Sequence, residues 1–203
     1  MRIFPLLTLS LTLVCASIPP TTAIQAQEFP FPRNSTFFTG KPPSLEDASS
    51  PYSSVNIPHV PYYFTISLPE KSIESLGKVT VEQETSPETI KFDLSETKAF
   101  QGTPNNRGQS LVLNSVTQDP ETQAISVNFE PPIPPGTTFT IRLIAQQNPS
   151  LGYTYLFRVN AFPAGSNPIG MDLGVGRFAI YEPNNFRSEE HTSELQSPCN
   201  LVC

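Results

Sequence analysis

The sequence predicts an all-β protein, an immunoglobulin-like β-sandwich of about seven to nine antiparallel strands with one short helix near residues 70–76. Three observations carry this expectation. Apolar and polar residues alternate with a period of two over several segments, as in strands with one buried face. These segments recur at short intervals between Gly, Pro, Asn and Asp turns, the rhythm of a sandwich. The 23 prolines in 203 residues suit corners and edges and oppose long helices.

The clearest strands lie within residues 129–165. Phe139, Ile141, Leu143 and Ala145 alternate with Thr138, Thr140, Arg142 and Ile144. Tyr153, Tyr155, Phe157, Val159 and Ala161 alternate with Thr154, Leu156, Arg158 and Asn160. Between them Asn148 and Pro149 start a turn, and Gly152 can take the positive φ that closes it. This predicts a hairpin at the heart of the domain, entered through the proline corner of residues 131–135. Upstream, Tyr62, Phe64, Ile66 and Leu68 alternate with Tyr63, Thr65 and Ser67, a further strand. Residues 69–77 hold the one helical signal. Pro69 suits a first turn, Glu70 favours the positive helix end, Ile73 and Leu76 share a face, and Gly77 can cap. Strands are also expected over residues 78–83, 89–94, 109–117, 123–129 and 177–181. Residues 99–108 read as a loop, and residues 118–122, with Pro120, as a turn.

Both ends read differently from this body. Residues 1–26 are expected to be a secretory signal peptide, with Arg2 at the start, an apolar run over residues 3–14 and small residues after it. Cleavage is expected after Ala26, with Ala16 and Ala23 as alternatives. The apolar run is shorter than the ~20 residues a spanning helix needs, so no stable membrane span is expected after cleavage. A lipoprotein reading at Cys15 is opposed by Val14, where a small residue belongs. Residues 187–197, RSEEHTSELQS, read as the one-frame translation of a widely used sequencing-adapter oligonucleotide. Residues 187–203 are therefore expected to be an assembly artefact rather than native chain. Cys15, Cys199 and Cys203 fall in these ends, which leaves residues 27–186 without cysteine. The spacing of Cys199 and Cys203 with His191 is set aside as a metal motif for the same reason. A segment of this length buries a core without disulfides or zinc.

Arg2 and Arg187 lie in the ends, as do Glu189, Glu190 and Glu194, so residues 27–186 keep 10 basic and 15 acidic side chains, a net charge of −5. An acidic chain with no basic run is a poor partner for nucleic acid or anionic lipid. Residues 27–61 are Pro- and Ser-rich and are expected to form an extended arm beside a β-sandwich domain over residues 62–186. Phe29, Phe31, Phe37 and Phe38 argue against free disorder in the arm. Whether it lies on its own domain or donates a strand to a neighbour is left open by the sequence. Asn34-Ser35-Thr36 has the form of a glycosylation acceptor, a pattern that occurs often by chance.

Several blocks together carry a family resemblance: YYFTISLPE, SLGKVTVEQ, IKFDL and AFQG, then FEPPIPPGTTFTIRL, NPSLGYTYLFRVNAFPAG and LGVGRFAIY. Over residues 61–181 the chain resembles a family of small secreted cyanobacterial proteins catalogued as domain of unknown function 2808. The PPGTT and YLFRVNAFPAG blocks are its specific parts. The resemblance implies export, a photosynthetic bacterial source and a β-rich fold. It brings no activity and no catalytic residues.

The residues themselves offer little chemistry. His59, between Pro58 and Val60, reads as a packing or turn residue, because metal and triad sites need convergent partners. Residues 27–186 contain no cysteine nucleophile and no G-x-S-x-G elbow. A carboxylate hydrolase would need two facing acids about 5–9.5 Å apart. Glu82 with Glu84, Asp93 with Glu96, and Asp119 with Glu121 are the candidates, and a solvated face explains each more simply. Asp119 and Glu121 match no twelve-residue calcium loop. Gly170, Gly174 and Gly176 precede a strand rather than a helix, which favours a bulge or close approach over a phosphate loop. One His and two Met are too few soft ligands for copper. Tyr52, Tyr62, Tyr63, Tyr153 and Tyr155 could stack on sugars, but Trp is absent and the parity of Tyr153 and Tyr155 points to the core. Arg142 and Arg158 face away from it and are expected to meet carboxylates.

The reading is an exported, non-catalytic β-sandwich acting as a structural or interaction module of the periplasm or cell envelope, or outside the cell. Its expected partner is an envelope protein or polysaccharide. No catalytic or cofactor-binding residue is assigned and no cofactor is expected. Which residues would hold a metal is unknown. A carbohydrate- or calcium-binding module is the alternative, and a carboxylate-dependent hydrolase a further one.

Overall fold

The computed structural model describes residue 32 and residues 34–182. The signal segment 1–26, Phe29, Phe31 and the segment 187–203 lie outside the described residues. Ten strands follow in order: β1 (Ser44–Ser49), β2 (Pro58–Leu68), β3 (Leu76–Gln83), β4 (Phe92–Thr103), β5 (Asn106–Leu111), β6 (Leu113–Gln118), β7 (Ile125–Ile133), β8 (Thr137–Gln147), β9 (Tyr153–Pro163) and β10 (Met171–Ile180). They form two five-stranded antiparallel sheets, β1-β2-β8-β4-β5 and β10-β9-β3-β7-β6. No helix appears among the described residues, and none there is long and apolar enough to cross a membrane.

The period of two becomes the core. Tyr62, Phe64, Ile66 and Leu68 of β2 are fully buried, as are Tyr155, Val159 and Ala161 of β9. Rings from both sheets meet at the centre: Tyr62 lies 4.6 Å from Phe178 and 5.5 Å from Phe92, and Phe64 lies 5.9 Å from Phe157. Most of these contacts are edge-to-face, the arrangement favoured by the ring quadrupole. Each buried aromatic or branched side chain contributes about 1.5–3 kcal/mol, which makes these strands the anchor of the fold.

The strand count exceeds the seven to nine expected, for identifiable reasons. Residues 99–108 are not a loop; they complete β4, turn at Pro104 and Asn105, and start β5. β5 is almost wholly exposed, so it shows no apolar alternation. Residues 109–117 are two strands, because the chain passes from one sheet to the other at the exposed Val112. β1 lies within the residues read as an arm and pairs with β2 of its own chain, from Ser44 opposite Ser67 to Ser49 opposite Tyr63. β10 begins at Met171 rather than residue 177.

The short helix near 70–76 does not form. Ser72 N–H donates to Pro69 C=O at 3.0 Å in a turn, and the segment is then held by the chain ahead of β1. Lys41 N–H donates to Lys71 C=O, Ile73 N–H to Thr39 C=O, and the Glu74 carboxylate accepts both Thr39 N–H and Thr39 Oγ at 2.6 Å. Two turns of helix repay little of the nucleation cost, and these non-local bonds satisfy the same groups. Ile73 is 73% exposed while Leu76 is fully buried, so the face they were to share does not exist.

The hairpin over 139–161 is also corrected. β8 pairs with β2 and β4, whereas β9 pairs with β10 and β3. Residues 148–152 form an arch between the sheets. The alternation is the same for a hairpin and an arch, because both bury the odd-numbered side chains, and the five-residue link reaches across the ~10 Å between packed sheets.

The expectation of a bulge or close approach at Gly174 and Gly176 agrees with their positions, whereas Gly152 is not among the glycines with positive φ and Gly77 has no helix to cap. Gly174 takes φ +106° at the register shift between Asp172 and Gly174. A Cβ on Gly176 would lie 2.6 Å from Ala48 Cβ, so this glycine lets β1 approach β10 and closes one side of the sandwich.

Candidate functional site

The arch organises one end of the molecule. Asn148 is buried and fully bonded: its N–H donates to Ile57 C=O at 2.8 Å, and its Oδ1 accepts the Tyr62 hydroxyl at 2.8 Å. Its Nδ2 donates to Ser54 C=O at 2.8 Å and Tyr52 C=O at 3.2 Å. Burial pushes the Tyr62 phenol far above the ordinary tyrosine range, with the neighbouring Tyr155 acting in the same direction. Tyr155 donates its hydroxyl to Leu151 C=O at 3.2 Å, four residues upstream. This is the geometry of the tyrosine corner in immunoglobulin-like sandwiches.

Beside this corner the surface is aromatic. Tyr153 is 47% exposed and its ring stands edge-on to Tyr155, with centroids 5.5 Å apart at 77°. Tyr181 is 63% exposed, and its backbone is fixed by Val55 N–H donating to its C=O and by its own N–H donating to Ser53 C=O. The two tyrosines border an open groove of about 520 Å³ completed by Gly152, Thr154, Ala179 and Glu182. A smaller recess, also touching Ala179, continues past Tyr52 and Arg177. Sequence parity assigned Tyr153 to the core. It has that parity, but it opens β9 beyond the packed rings, so only Tyr155 is enclosed. Tyr181 was missed; the outward parity it shares with Arg177 and Ala179 at the end of the last strand is the signal that would have found it.

A second groove, of about 450 Å³, lies on the outer face of the first sheet between β1 and the β4–β5 turn. Glu46 and Asp47 form one side, Pro104 and Asn105 the other, and Tyr63 and Thr65 the floor. Arg107 covers Tyr63 and Phe100, with its guanidinium carbon 5.7 and 5.1 Å from the ring centroids, and donates to the Tyr63 hydroxyl at 3.1 Å. Beneath them Thr65 and Thr140 share a buried hydrogen bond at 3.0 Å, and Thr140 Oγ donates to Gly102 C=O.

The other sequence candidates are dispersed. His59 is exposed, takes φ +59° and places Nε2 3.2 Å from Glu96 Oε2. Asp93, the proposed companion of Glu96, is taken by Ser95 through its amide and hydroxyl; these bonds hold it below the usual carboxylate range. Asp119 accepts Glu121 N–H at 2.8 Å and Thr122 N–H at 2.9 Å, and the two amides hold it low in the same way. Arg158 bridges Glu84, at 2.6 Å, and Asp172, and those two acids stabilise its charged form. Glu82 sits opposite Arg158 in the strand register. Among the described residues Arg142 meets no carboxylate; its Nη2 donates to Glu96 C=O at 3.4 Å. Among the described residues no three His, Cys, Asp or Glu side chains converge as a metal site.

Among solved structures, the chain is similar to a DUF4466 family protein from Parabacteroides merdae, with 12% identity and a TM-score of 0.44, covering 70% of this chain and 45% of that one. This chain thus spans less than half the length of that protein. It is also similar to the bacterial hydrophobin BslA (14% identity, TM-score 0.43, 71% and 98% covered). A third likeness is to a Nocardia farcinica protein described as having an immunoglobulin-like fold (12% identity, TM-score 0.41, 66% and 96% covered). No curated protein matches the sequence. The model of one family matches residues 35–180, most of the chain, and that span includes both sheets from β1 to the end of β10. The chain belongs to the family described as protein of unknown function (DUF2808).

Proposed function

We propose that the protein is an exported, non-catalytic binding module of the cell envelope, whose partner is an envelope polysaccharide or protein. One observation carries this reading: the candidate acid–base side chains are held in separate local pairs, while the open grooves are bordered by tyrosines, small polar groups and exposed carboxylates. Arg158 holds Glu84 and Asp172, His59 meets Glu96, and Asp119 caps its own turn. Catalysis by acids and bases requires such groups to converge where water is excluded. His59 and Glu96, with side chains 64% and 42% exposed, sit in solvent instead. Grooves bordered by aromatic and hydroxyl groups suit recognition. The leader-like residues 1–26 support export.

The reading is tested by incubating the protein with isolated envelope polysaccharide and envelope protein fractions, then following co-sedimentation and product release together. Retention on one fraction without new reducing ends or peptide fragments is expected. Product accumulating in proportion to protein would contradict it.

A further inference from the structure

We infer that the groove between Tyr153 and Tyr181 is a stacking site for a neutral, hydroxyl-rich saccharide; the inference rests on the binding-module reading and names the ligand class. Both rings are exposed; the ring of Tyr153 and the backbone of Tyr181 are held. Tyr153 is braced edge-on by Tyr155, which the corner bond to Leu151 fixes in turn, and the backbone of Tyr181 is bonded on both sides to residues 53–55. A ring braced in advance, as that of Tyr153 is, presents apolar area at little further entropic cost on binding. The face of a pyranose ring is a row of C–H bonds, which suits such a ring, and its edge is a row of hydroxyls.

The rest of the border matches that edge. Thr154 offers a hydroxyl, and Glu182 a carboxylate able to accept from two neighbouring hydroxyls. Gly152 leaves room for Glu182, whose Cγ lies 3.3 Å from where a Cβ would stand. Glu182 is the one charged side chain among the described lining residues. Glu88, bonded to Ser150 at the tip of the arch, lines a different groove beside Lys91, and Arg177 lines the adjoining recess. With Glu182 as the one charge and no cation among the described lining residues, the groove disfavours phosphate, sulfate and uronate and favours a neutral ligand. The volume of about 520 Å³ falls within the ~300–1,000 Å³ range of small-ligand sites. A protein partner would require about 800 Å² on each side, far beyond two tyrosines and a threonine.

The test is titration calorimetry of the protein with hexasaccharides of β-1,4-glucose, α-1,4-glucose and β-1,4-N-acetylglucosamine, and with oligogalacturonate as the anionic probe. The chain has no tryptophan, so its emission comes from six tyrosines, two of which border the groove. At least one neutral hexasaccharide is expected to bind saturably and change that emission, with oligogalacturonate weaker. Tyr153→Ala and Tyr181→Ala should each weaken binding about tenfold or more, and Tyr153→Phe, which keeps the ring, less than about threefold. Melting temperatures close to that of the unaltered protein establish that the variants fold. Binding that survives both alanine substitutions, no response to any neutral probe, or preference for oligogalacturonate overturns the inference while leaving the module reading standing. New reducing ends in the same samples would overturn the module reading itself.

Discussion

At the scale of single residues, Asn148 and Tyr62 bear the largest consequence. The Asn148 side chain satisfies one buried hydroxyl and two backbone carbonyls, so Asn148→Ala strands three polar groups at once while the main-chain bond to Ile57 survives. The expected loss is about 2–4 kcal/mol in urea unfolding, against about 1 kcal/mol for Tyr62→Phe, which removes one bond and keeps the ring. Tyr62 also sets an alkaline limit. Its folded pKa is raised above the unfolded value of about 10, because the neutral phenol is the form the core accepts. Its contribution is therefore complete below about pH 10 and declines as pH climbs from there towards the folded value. Tyr62→Phe should flatten that part of the stability–pH curve; an unchanged slope would mean that Tyr62 does not govern it. The turn role of Asn148 was legible in its pairing with Pro149. Its burial was not, since only the arch brings Tyr52, Ser54 and Tyr62 to it.

At the scale of elements, what the sequence makes legible follows burial. β9 buries one face, while β2 and β8 bury their inward set and also Tyr63, Thr65, Thr140 and Ile144 of the other; in all three the apolar alternation of Tyr62 to Leu68, Phe139 to Ala145 and Tyr155 to Ala161 reads directly. β1 and β5 are short edge strands with mostly polar side chains, so local sequence carries little of their pairing. The helix expectation failed because Thr39–Lys41, thirty residues upstream of the segment, supply the bonds that decide its shape. The arch failed as a hairpin because periodicity records which face is buried and not which sheet a strand joins. Gly176 offers a test at this scale. Gly176→Ala places a Cβ 2.6 Å from Ala48 Cβ and should cost about 1–3 kcal/mol, with faster hydrogen exchange along β1. Adding Ala48→Gly should recover part of that loss, and strictly additive effects would mean that the two strands do not meet there.

At the scale of the whole molecule, the two sheets pack on a shared apolar core and leave the polar and aromatic grooves at the surface. Composition already opposed nucleic acid and pointed away from catalysis, through the single His59 and the missing cysteine in residues 27–186. The aromatic groove was half legible: Tyr153 was noticed but assigned inward by parity, and Tyr181 stands just past the last strand. The central claim is that the molecule binds an envelope component as a folded unit. Thermal unfolding against rising concentrations of envelope polysaccharide and envelope protein fractions tests it most directly. A ligand of the native state at about 100 times its Kd adds about 2.7 kcal/mol, a rise of roughly 5–10 °C for a chain of this length. The account predicts a saturable rise of that order with one fraction, and a melting temperature unmoved by every fraction would contradict it.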